Sequence, residues 1–288
     1  MNLKGARVLL TGGTGFIGSA LAASLHAAKA DVRLLIRPSS RGELLGRLWK
    51  KLPTLVGDLD DPAALAEAVH AADPEYVFHL AKPRDGATFE REVRRTAALA
   101  SVLAAHAPNL KRWIRTAHAA SDRHGRGADA ELARSLASHH RLDVVTLELF
   151  LVYGPGQRAG GFPRGLAEAA LSGRPIQATS ESKDLLYVAD AVRAYELAAI
   201  APGAAGAWIP VGGGRLVPGK EVAQAAARAA GRPFSDVVPS DEPPRDGGHP
   251  ADLDPAREKL YWTPLTSVDA GMRQLVQWLG ESSGKRRG

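Results

Sequence analysis

The stretch Thr11-Gly12-Gly13-Thr14-Gly15-Phe16-Ile17-Gly18 follows a short apolar run, Val8-Leu9-Leu10, and precedes a segment in which apolar residues recur every four positions. The apolar run predicts a buried strand, and the four-residue period predicts a helix. In a strand–turn–helix unit, three spaced glycines permit a tight turn, a close approach of a ligand to the backbone, and close packing of the helix on the sheet. The N–H groups at the start of the helix would then bind a pyrophosphate. The stretch therefore predicts a dinucleotide-binding turn.

The rest of the first half repeats this alternation of apolar runs and amphipathic stretches, which predicts βαβ units and a parallel sheet with both faces covered. After residue 156, glycine and proline become frequent and short helices are predicted between long loops. We therefore predict an α/β fold: a Rossmann-like doubly wound parallel sheet over residues 1–155, and a smaller C-terminal substrate lobe over residues 156–288 that is partly interleaved with the sheet. The predicted strands lie at 8–10, 32–36, 55–56, 76–80, 113–114 and 144–147, and the predicted helices near 17–25, from 62, and near 88–106, 127–140, 162–172, 189–200, 219–230 and 266–280.

The composition limits the classes of function that this chain can have. Its 288 residues include no cysteine, which excludes disulfides, thiolate metal sites and a cysteine nucleophile. His139 and His140 lack the spacing to carboxylates that a metal site needs, so no metal is predicted. The net charge of +6 is modest and the arginines are scattered, which favours an anionic cofactor over nucleic acid. No apolar run reaches the roughly 18 residues of a membrane span, and no signal peptide precedes the first strand, so we expect a cytoplasmic protein with no membrane partner.

The residue that ends the second predicted strand selects between the two nicotinamide dinucleotides. An acidic side chain there would accept hydrogen bonds from the 2′-hydroxyl of the adenine ribose, but this chain has Arg37, followed by Pro38-Ser39-Ser40-Arg41. A guanidinium with neighbouring hydroxyls suits a 2′-phosphate. The sequence therefore favours NADP(H), with NAD(H) as the alternative. The other interpretation of Arg37 is an ordinary exposed loop charge.

Ordered motifs beyond the glycine turn continue along most of the chain. They lie at 57–59, 77–81, 149–157, 184–192, 211–214 and 261–264. With the turn, they resemble the extended short-chain dehydrogenase/reductase family, which comprises NAD(P)-dependent sugar epimerases, dehydratases and related reductases. The resemblance implies that Asp58 and Leu59 contact the adenine and that Leu80 and Ala81 line the cofactor groove. The predicted cofactor-binding residues are Gly12, Thr14, Gly15, Phe16, Ile17, Gly18, Arg37, Asp58, Leu59, Leu80, Ala81, Lys82 and Arg126.

The chain departs from that family where a catalytic Ser, Tyr and Lys are expected. Lining up the fifth strand places Thr116-Ala117-His118 on the hydroxyl positions, with His118 at the catalytic Ser. Counting back from the sixth strand places Asp122 at the Tyr and Arg126 at the Lys. The intervening loop is short, and no tyrosine occurs between residues 76 and 153. Arg126 could hold the nicotinamide ribose, whereas Asp122 is a poor proton donor near neutral pH unless it is strongly desolvated.

Three residues remain as candidates for catalysis: His118, Asp122 and Tyr153. His118 leads, because strand ends in this fold face the nicotinamide and an imidazole transfers protons near neutral pH. A packed or surface histidine is the alternative interpretation. Tyr153 is predicted near the cleft, where a structural role competes with a catalytic one. Lys82, just after the fourth strand, could contact phosphate or substrate, or it could be a solvated loop charge.

The departures also argue against a nucleotide-sugar substrate. Glu148, Leu151 and Pro210 stand where the family's sugar-nucleotide enzymes often carry Arg, Asn and Asn. We therefore predict an atypical enzyme of this family that binds NADP(H) and acts on a small non-nucleotide, natural-product or lipid-like substrate. The reaction is either carbonyl reduction or a non-redox isomerisation, cyclisation or elimination. The alternative is a catalytically silent NADP-binding sensor or partner subunit. Members of the family often dimerise through the helices near 88–106 and 127–140, so the resemblance favours a homodimer here. Packing of Leu132 and Leu136 on the sheet explains the apolar face of the second helix equally well.

Overall fold

The computed structural model describes residues 2–81, 89–118, 123–243 and 248–284. It leaves undescribed the side chains of residues 89, 90, 92, 118, 123–130, 133, 283 and 284. In chain order the described strands are β1 (Arg7–Thr11), β2 (Asp31–Ile36), β3 (Thr54–Val56), β4 (Tyr76–His79), β5 (Arg112–His118), β6 (Val144–Leu149), β7 (Leu151–Tyr153), β8 (Ile176–Gln177), β9 (Ser182–Tyr187), β10 (Trp208–Val211), β11 (Leu216–Pro218) and β12 (Val237–Val238). The described helices are α1 (Phe16–Ala27), α2 (Pro62–Ala72), α3 (Phe89–His106), α4 (Arg123–His140), α5 (Arg164–Leu171), α6 (Val188–Ile200), α7 (Gly219–Ala229), α8 (Asp254–Leu260) and α9 (Val268–Gly284).

Seven strands form the main sheet, in the order β3-β2-β1-β4-β5-β6-β10. β1 pairs in parallel with both β2 and β4, β2 with β3, and β4 with β5. The strand order reverses between β1 and β4, because β2 and β3 are added on one side and β5 and β6 on the other. In sheets of this kind, ligands bind beyond the carboxyl ends of the strands at the point of reversal. The predicted Rossmann-like α/β fold is confirmed.

One face of the sheet packs on α2 and α3 through a continuous apolar cluster. Leu9, Val77 and Trp113 lie side by side on β1, β4 and β5, and all three are fully buried. Leu65 of α2 and Leu99 of α3 complete this cluster. Because a slip of one residue would turn such a row toward the opposite face, its burial specifies the strand register. That register sets which side chains meet at the carboxyl edge of the sheet.

The chain forms two compact units, and each is discontinuous in sequence. Unit 1 contains residues 1–148, 192–209 and 255–262. Unit 2 contains residues 149–191, 210–254 and 263–288. Unit 2 includes two smaller sheets, β11-β9-β7 and β12-β8, and in the first of them β9 is antiparallel to β11 and parallel to β7. The boundary predicted between residues 155 and 156 stays a prediction.

Several elements differ from the predicted ones in extent. The helix predicted from residue 127 begins at Arg123, and the fourth strand ends at His79 rather than at residue 80. The small strands of unit 2 were not predicted, because β7, β8, β11 and β12 have only two or three residues and show no alternation of apolar and polar positions. None of the helices in the described part of the chain is both long and apolar enough to cross a membrane.

Candidate functional site

The glycine turn joins β1 to α1 and lies directly against the backbone that follows β4. Gly12 has a φ of +74°, in the left-handed region. A Cβ at this position would lie 2.6 Å from the carbonyl carbon of Leu80 and 2.7 Å from the amide nitrogen of Ala81. Only glycine combines this backbone angle with so close an approach. The structure therefore brings the turn together with Leu80 and Ala81, the two residues predicted to line the groove.

Gly15 and Gly18 have different surroundings. A Cβ at Gly18 would lie 2.1 Å from the carbonyl oxygen of Gly12, so this glycine allows α1 to pack on the turn itself rather than on the sheet. Among the atoms of the described residues, a Cβ at Gly15 would meet only the Gly12 carbonyl oxygen within 4 Å, at 3.2 Å. The backbone at Gly15 is extended, with φ of −82°, so its conformation does not require glycine. The space beside Gly15 is open, as the close approach of a ligand to this backbone requires.

The first turn of α1 has the properties of an anion site. Gly15 is its N-cap, and in the described residues no side chain caps the helix. The first backbone bond across the cap runs from the amide of Ser19 to the carbonyl of Gly15. The amides of Phe16 and Ile17 therefore lie at the positive end of a 12-residue helix, next to Thr14 of the turn. The turn, its open side and this helix start fit the pyrophosphate of a dinucleotide.

A buried hydrogen-bond network supports the groove from beneath. The Thr11 hydroxyl lies 2.7 Å from Nδ1 of His79 and accepts a hydrogen bond from the amide of Ala81 at 3.3 Å. Burial, and secondarily the guanidinium groups of Arg115 and Arg95, lowers the pKa of His79 from 6.5 to about 3. His79 is therefore neutral near neutral pH. It holds Thr11 and, through it, the backbone of Ala81.

Thr116, the first residue of the predicted hydroxyl positions, belongs to the same network. Its hydroxyl donates to the carbonyl oxygen of His79 at 3.0 Å. Since a hydroxyl has one proton to donate, the Tyr195 hydroxyl, 2.6 Å away, must donate to Thr116. Tyr195 is fully buried, and burial raises the pKa of its hydroxyl. The Thr116 hydroxyl is therefore occupied by structural hydrogen bonds at the end of β5. Catalysis by His118 stays a prediction.

Arg37 follows β2 at the carboxyl edge of the sheet. Its amide donates to the Ser40 hydroxyl at 3.1 Å, and the amide of Ser40 donates to the Arg37 carbonyl oxygen at 2.9 Å. The side chain is half-buried. Within the part of the chain that the structure describes, its guanidinium has no hydrogen bond or ion pair. The end of β2 thus presents an uncompensated positive charge beside a hydroxyl, as a 2′-phosphate would require.

Asp58 and Leu59 follow β3, on the strand next to β2. Both side chains are half-buried. The amide of Gly57 donates to the carbonyl oxygen of Ile36 at 3.0 Å, which ties the end of β3 to the end of β2. The two residues predicted to contact adenine therefore lie next to Arg37 in the sheet order.

Several predicted site residues lie wholly or partly outside the described residues. Lys82 and Asp122 are among these, and their predicted roles stay predictions. His118 is described only as the last backbone position of β5, and Arg126 only as a backbone position in the first turns of α4. β5 and α4 are separated by residues 119–122. The correspondence of Asp122 and Arg126 to the family's Tyr and Lys across this connection stays a prediction.

Tyr153, the third catalytic candidate, is a packed residue of unit 2. Its side chain is 1% exposed, and its ring makes an edge contact with Tyr187 at 5.6 Å between centroids. A Cβ on Gly271 of α9 would lie 2.1 Å from the Tyr153 hydroxyl, so α9 packs tightly on it. Burial raises the pKa of this hydroxyl above its ordinary value of 10. These contacts suit packing, and catalysis by Tyr153 stays a prediction.

Sequence reasoning missed His79 and Tyr195 as parts of the site. His79 stood in the sequence as the one polar residue at the end of an apolar strand, which is a signal for a buried partner. Tyr195 lies in an alanine-rich helix far along the chain, and nothing local indicates that α6 brings it to β5. Long-range packing alone places it there.

Comparisons with known proteins agree with this geometry. The model of the NAD dependent epimerase/dehydratase family matches residues 8–123 and 127–208. The UDP-glucose 4-epimerase of Mycolicibacterium smegmatis is 28% identical in an alignment of 316 positions, which covers 96% of this chain and 99% of that protein. The dTDP-glucose 4,6-dehydratase of Neisseria gonorrhoeae is 27% identical over 182 residues, which cover 56% of this chain and about half, 51%, of that protein.

Solved structures show the same fold. An epimerase from Methanothermobacter thermautotrophicus superposes with a TM-score of 0.82 at 22% identity, over 99% of this chain and 95% of that one. The dTDP-glucose 4,6-dehydratase of Bacillus anthracis, solved in complex with NAD, has a TM-score of 0.82 at 16% identity, over 96% of this chain and 97% of that one. The family model matches more than half of the length of this chain. The chain therefore belongs to the NAD dependent epimerase/dehydratase family.

Proposed function

We propose that this protein binds NADP(H) in unit 1 and acts on a small, non-nucleotide substrate. The observation that carries the cofactor part is the Arg37 guanidinium at the end of β2, which has no ion-pair or hydrogen-bond partner among the described residues, together with the Ser40 hydroxyl bonded to the Arg37 amide. A 2′-phosphate supplies the charge that this guanidinium lacks. The relatives solved with a cofactor carry NAD, so the preference for NADP(H) is a proposal about this chain alone.

The cofactor proposal is tested by fluorescence titration with NADPH and NADH. We expect the wild-type protein to bind NADPH at least about tenfold more tightly than NADH, because one charge-assisted pair contributes about 1.5–3 kcal/mol. Arg37→Glu should reverse this preference, since a carboxylate repels the 2′-phosphate and accepts from a 2′-hydroxyl. Arg47→Glu makes the same change of charge at an exposed position. It is the matched control and should leave both affinities unchanged. If the ratio of the NADPH and NADH affinities were the same in wild type and in Arg37→Glu, the role of Arg37 in the preference would be refuted.

The substrate part rests on the residues at the strand ends. Glu148 at the carboxyl end of β6 is 1% exposed and accepts a hydrogen bond from Nε1 of Trp208 at 3.0 Å. A carboxylate at this position cannot donate the charge-assisted hydrogen bonds that a diphosphate takes from an arginine. A natural-product or lipid-like compound does not need such a donor. We therefore infer that the substrate differs from the nucleotide sugars named for the relatives.

The chemistry is assigned to His118. A nicotinamide dinucleotide, when bound, supplies a hydride donor or acceptor. An imidazole at the end of β5 can hold and release a proton near neutral pH, which a carbonyl reduction or a non-redox isomerisation, cyclisation or elimination requires. Thr116 cannot serve, because its hydroxyl is held by Tyr195 and His79. Asp122, Arg126 and Lys82 are proposed to assist, the last two by holding ribose and phosphate.

A second candidate, a catalytically silent NADP-binding module, is favoured by one observation: no tyrosine occurs between residues 76 and 153. Incubating the protein and NADPH with a broad carbonyl panel separates the two, with absorbance following NADPH and mass spectrometry following each compound. We expect turnover that His118→Ala lowers about 100-fold or more without changing the affinity for NADPH. His139→Ala, an exposed histidine on α4, is the control. No change in any compound would leave the silent module as the function, and equal turnover in His118→Ala would refute the role of His118.

A further inference from the structure

An ion-pair cluster joins α3 to the loop that follows β3. Nε of Arg95 donates to Oδ1 of Asp60 at 2.6 Å, and Nη2 of Arg95 donates to Oδ2 of the same carboxylate. Nη2 of Arg91, one helical turn earlier on α3, also donates to Oδ2 at 2.7 Å. Arg95 therefore forms a bidentate ion pair with both oxygens of Asp60, and Arg91 donates a further hydrogen bond to one of them. A bidentate pair of this kind fixes orientation as well as distance.

The burial of Arg95 distinguishes this pair from an ordinary surface ion pair. Arg95 is 8% exposed, so packing encloses its side chain in addition to the contact with Asp60. Hydrogen bonds from Arg95 first, and then from Arg91, hold the pKa of Asp60 well below its usual range. The Asp60 carboxylate therefore stays ionised near neutral pH, where it keeps its ion pairs with Arg95 and Arg91. Asp60 is thus held in place by these ion pairs although its side chain is partly exposed to solvent.

Asp60 in turn orients the carboxylate of Asp58. The amide of Asp60 donates to Oδ1 of Asp58 at 3.1 Å, and the amide of Asp61 donates to the Asp58 carbonyl oxygen at 3.0 Å. Asp61 in turn caps α2 by accepting from the amides of Ala63 and Ala64, both at 3.1 Å. The Asp58 carboxylate is therefore oriented by one oxygen, while its Oδ2 accepts no hydrogen bond within the described ranges. It is a half-buried acceptor with a fixed direction.

The position of Asp58 indicates what this acceptor meets. A dinucleotide bound at the strand reversal places its adenine ribose at the end of β2, beside Arg37. The next strand outward is β3, so a base extending beyond that ribose reaches Asp58 first. Adenine presents an exocyclic amine, which is a hydrogen-bond donor. Oδ2 of Asp58, which has no partner among the described residues, can accept a hydrogen bond from that amine.

We propose that Arg95 is a positioning residue for adenine recognition: through Asp60, it holds the Asp58 carboxylate in the direction that accepts the adenine amine. This inference rests on the proposed binding of NADP(H). The helix α3 contributes no residue to the predicted cofactor contacts. By this inference, it nevertheless takes part in the recognition of adenine. Arg91 has a lesser part, since Arg95 already engages both oxygens of Asp60.

The test compares NADPH with its reduced hypoxanthine analogue, in which the amine is replaced by a carbonyl oxygen. Fluorescence titration gives both dissociation constants. The wild-type protein should bind NADPH about tenfold or more tightly than the analogue, because the analogue leaves a charged acceptor unpaired. In Arg95→Met this preference should fall to about twofold or less. Arg95→Lys, which keeps the charge but loses the two-pronged geometry, should retain an intermediate preference.

Arg94→Met, an exposed neighbour on the same helix, is the matched control and should keep the full preference. Asp60→Asn provides a second break of the same link if Arg95→Met does not fold, and it should also reduce the preference. A merely structural role would weaken both ligands equally and keep their ratio, so an unchanged ratio in folded Arg95→Met or Asp60→Asn overturns the proposal. A wild-type protein that binds both ligands equally overturns it too. Failure of the wild type to bind any dinucleotide is a different result, since it refutes the proposed function itself.

Discussion

His79 shows how much of the site depends on single buried residues. It is enclosed by β1, β5 and the ring of Trp113, and it stays neutral in the folded protein because burial lowers its pKa to about 3. The unfolded chain protonates this histidine below about pH 6.5, so stability is full above that pH and is lost as pH falls toward 3. Between pH 7 and pH 5 the loss from this residue is about 2 kcal/mol. Urea unfolding at both pH values should show that His79→Asn loses about 2 kcal/mol less than wild type over this interval, although it starts from a lower stability. His70→Asn, an exposed histidine of α2, should keep the wild-type dependence, and a wild-type dependence in His79→Asn would contradict the prediction.

At the scale of elements, the sequence predicts what is local and misses what is long-range. The β1–α1 unit could be predicted, because apolar runs, helical period and glycine spacing are properties of adjacent residues, and the structure adds that Gly18 packs on Gly12 rather than on the sheet. The strands β7, β9 and β11 could not be predicted as one sheet, because their partners are separated by tens of residues and because β7 and β11 have only three residues each. The ion pairs between α3 and the loop after β3 could not be predicted for the same reason. In the sequence alone, Arg91 and Arg95 resemble solvated charges, and only the fold brings Asp60 against them. In the candidate site, the position of the glycine turn beside Leu80 and Ala81 could be predicted from the fold pattern, whereas the occupied hydroxyl of Thr116 could not, because it depends on Tyr195 of a distant helix.

At the scale of the whole molecule, the binding of a dinucleotide should appear as stability. A ligand at 100 times its dissociation constant stabilises the folded protein by about 2.7 kcal/mol, which raises the midpoint of thermal unfolding by roughly 5–10 °C for a domain of 150–250 residues. Gly15 is the position that separates binding from folding, because its backbone is extended and a methyl group there contacts only the carbonyl oxygen of Gly12, at 3.2 Å. We expect Gly15→Ala to unfold within a few degrees of wild type without ligand and to lose most of the rise with NADPH, since the methyl group fills the open side of the turn. Gly165→Ala, at a position on α5 where a Cβ would have its nearest atom at 3.8 Å, is the matched control and should show the full rise. Differential scanning calorimetry with and without NADPH measures both quantities. A full rise in Gly15→Ala would show that the dinucleotide, if bound, does not approach the backbone of this turn.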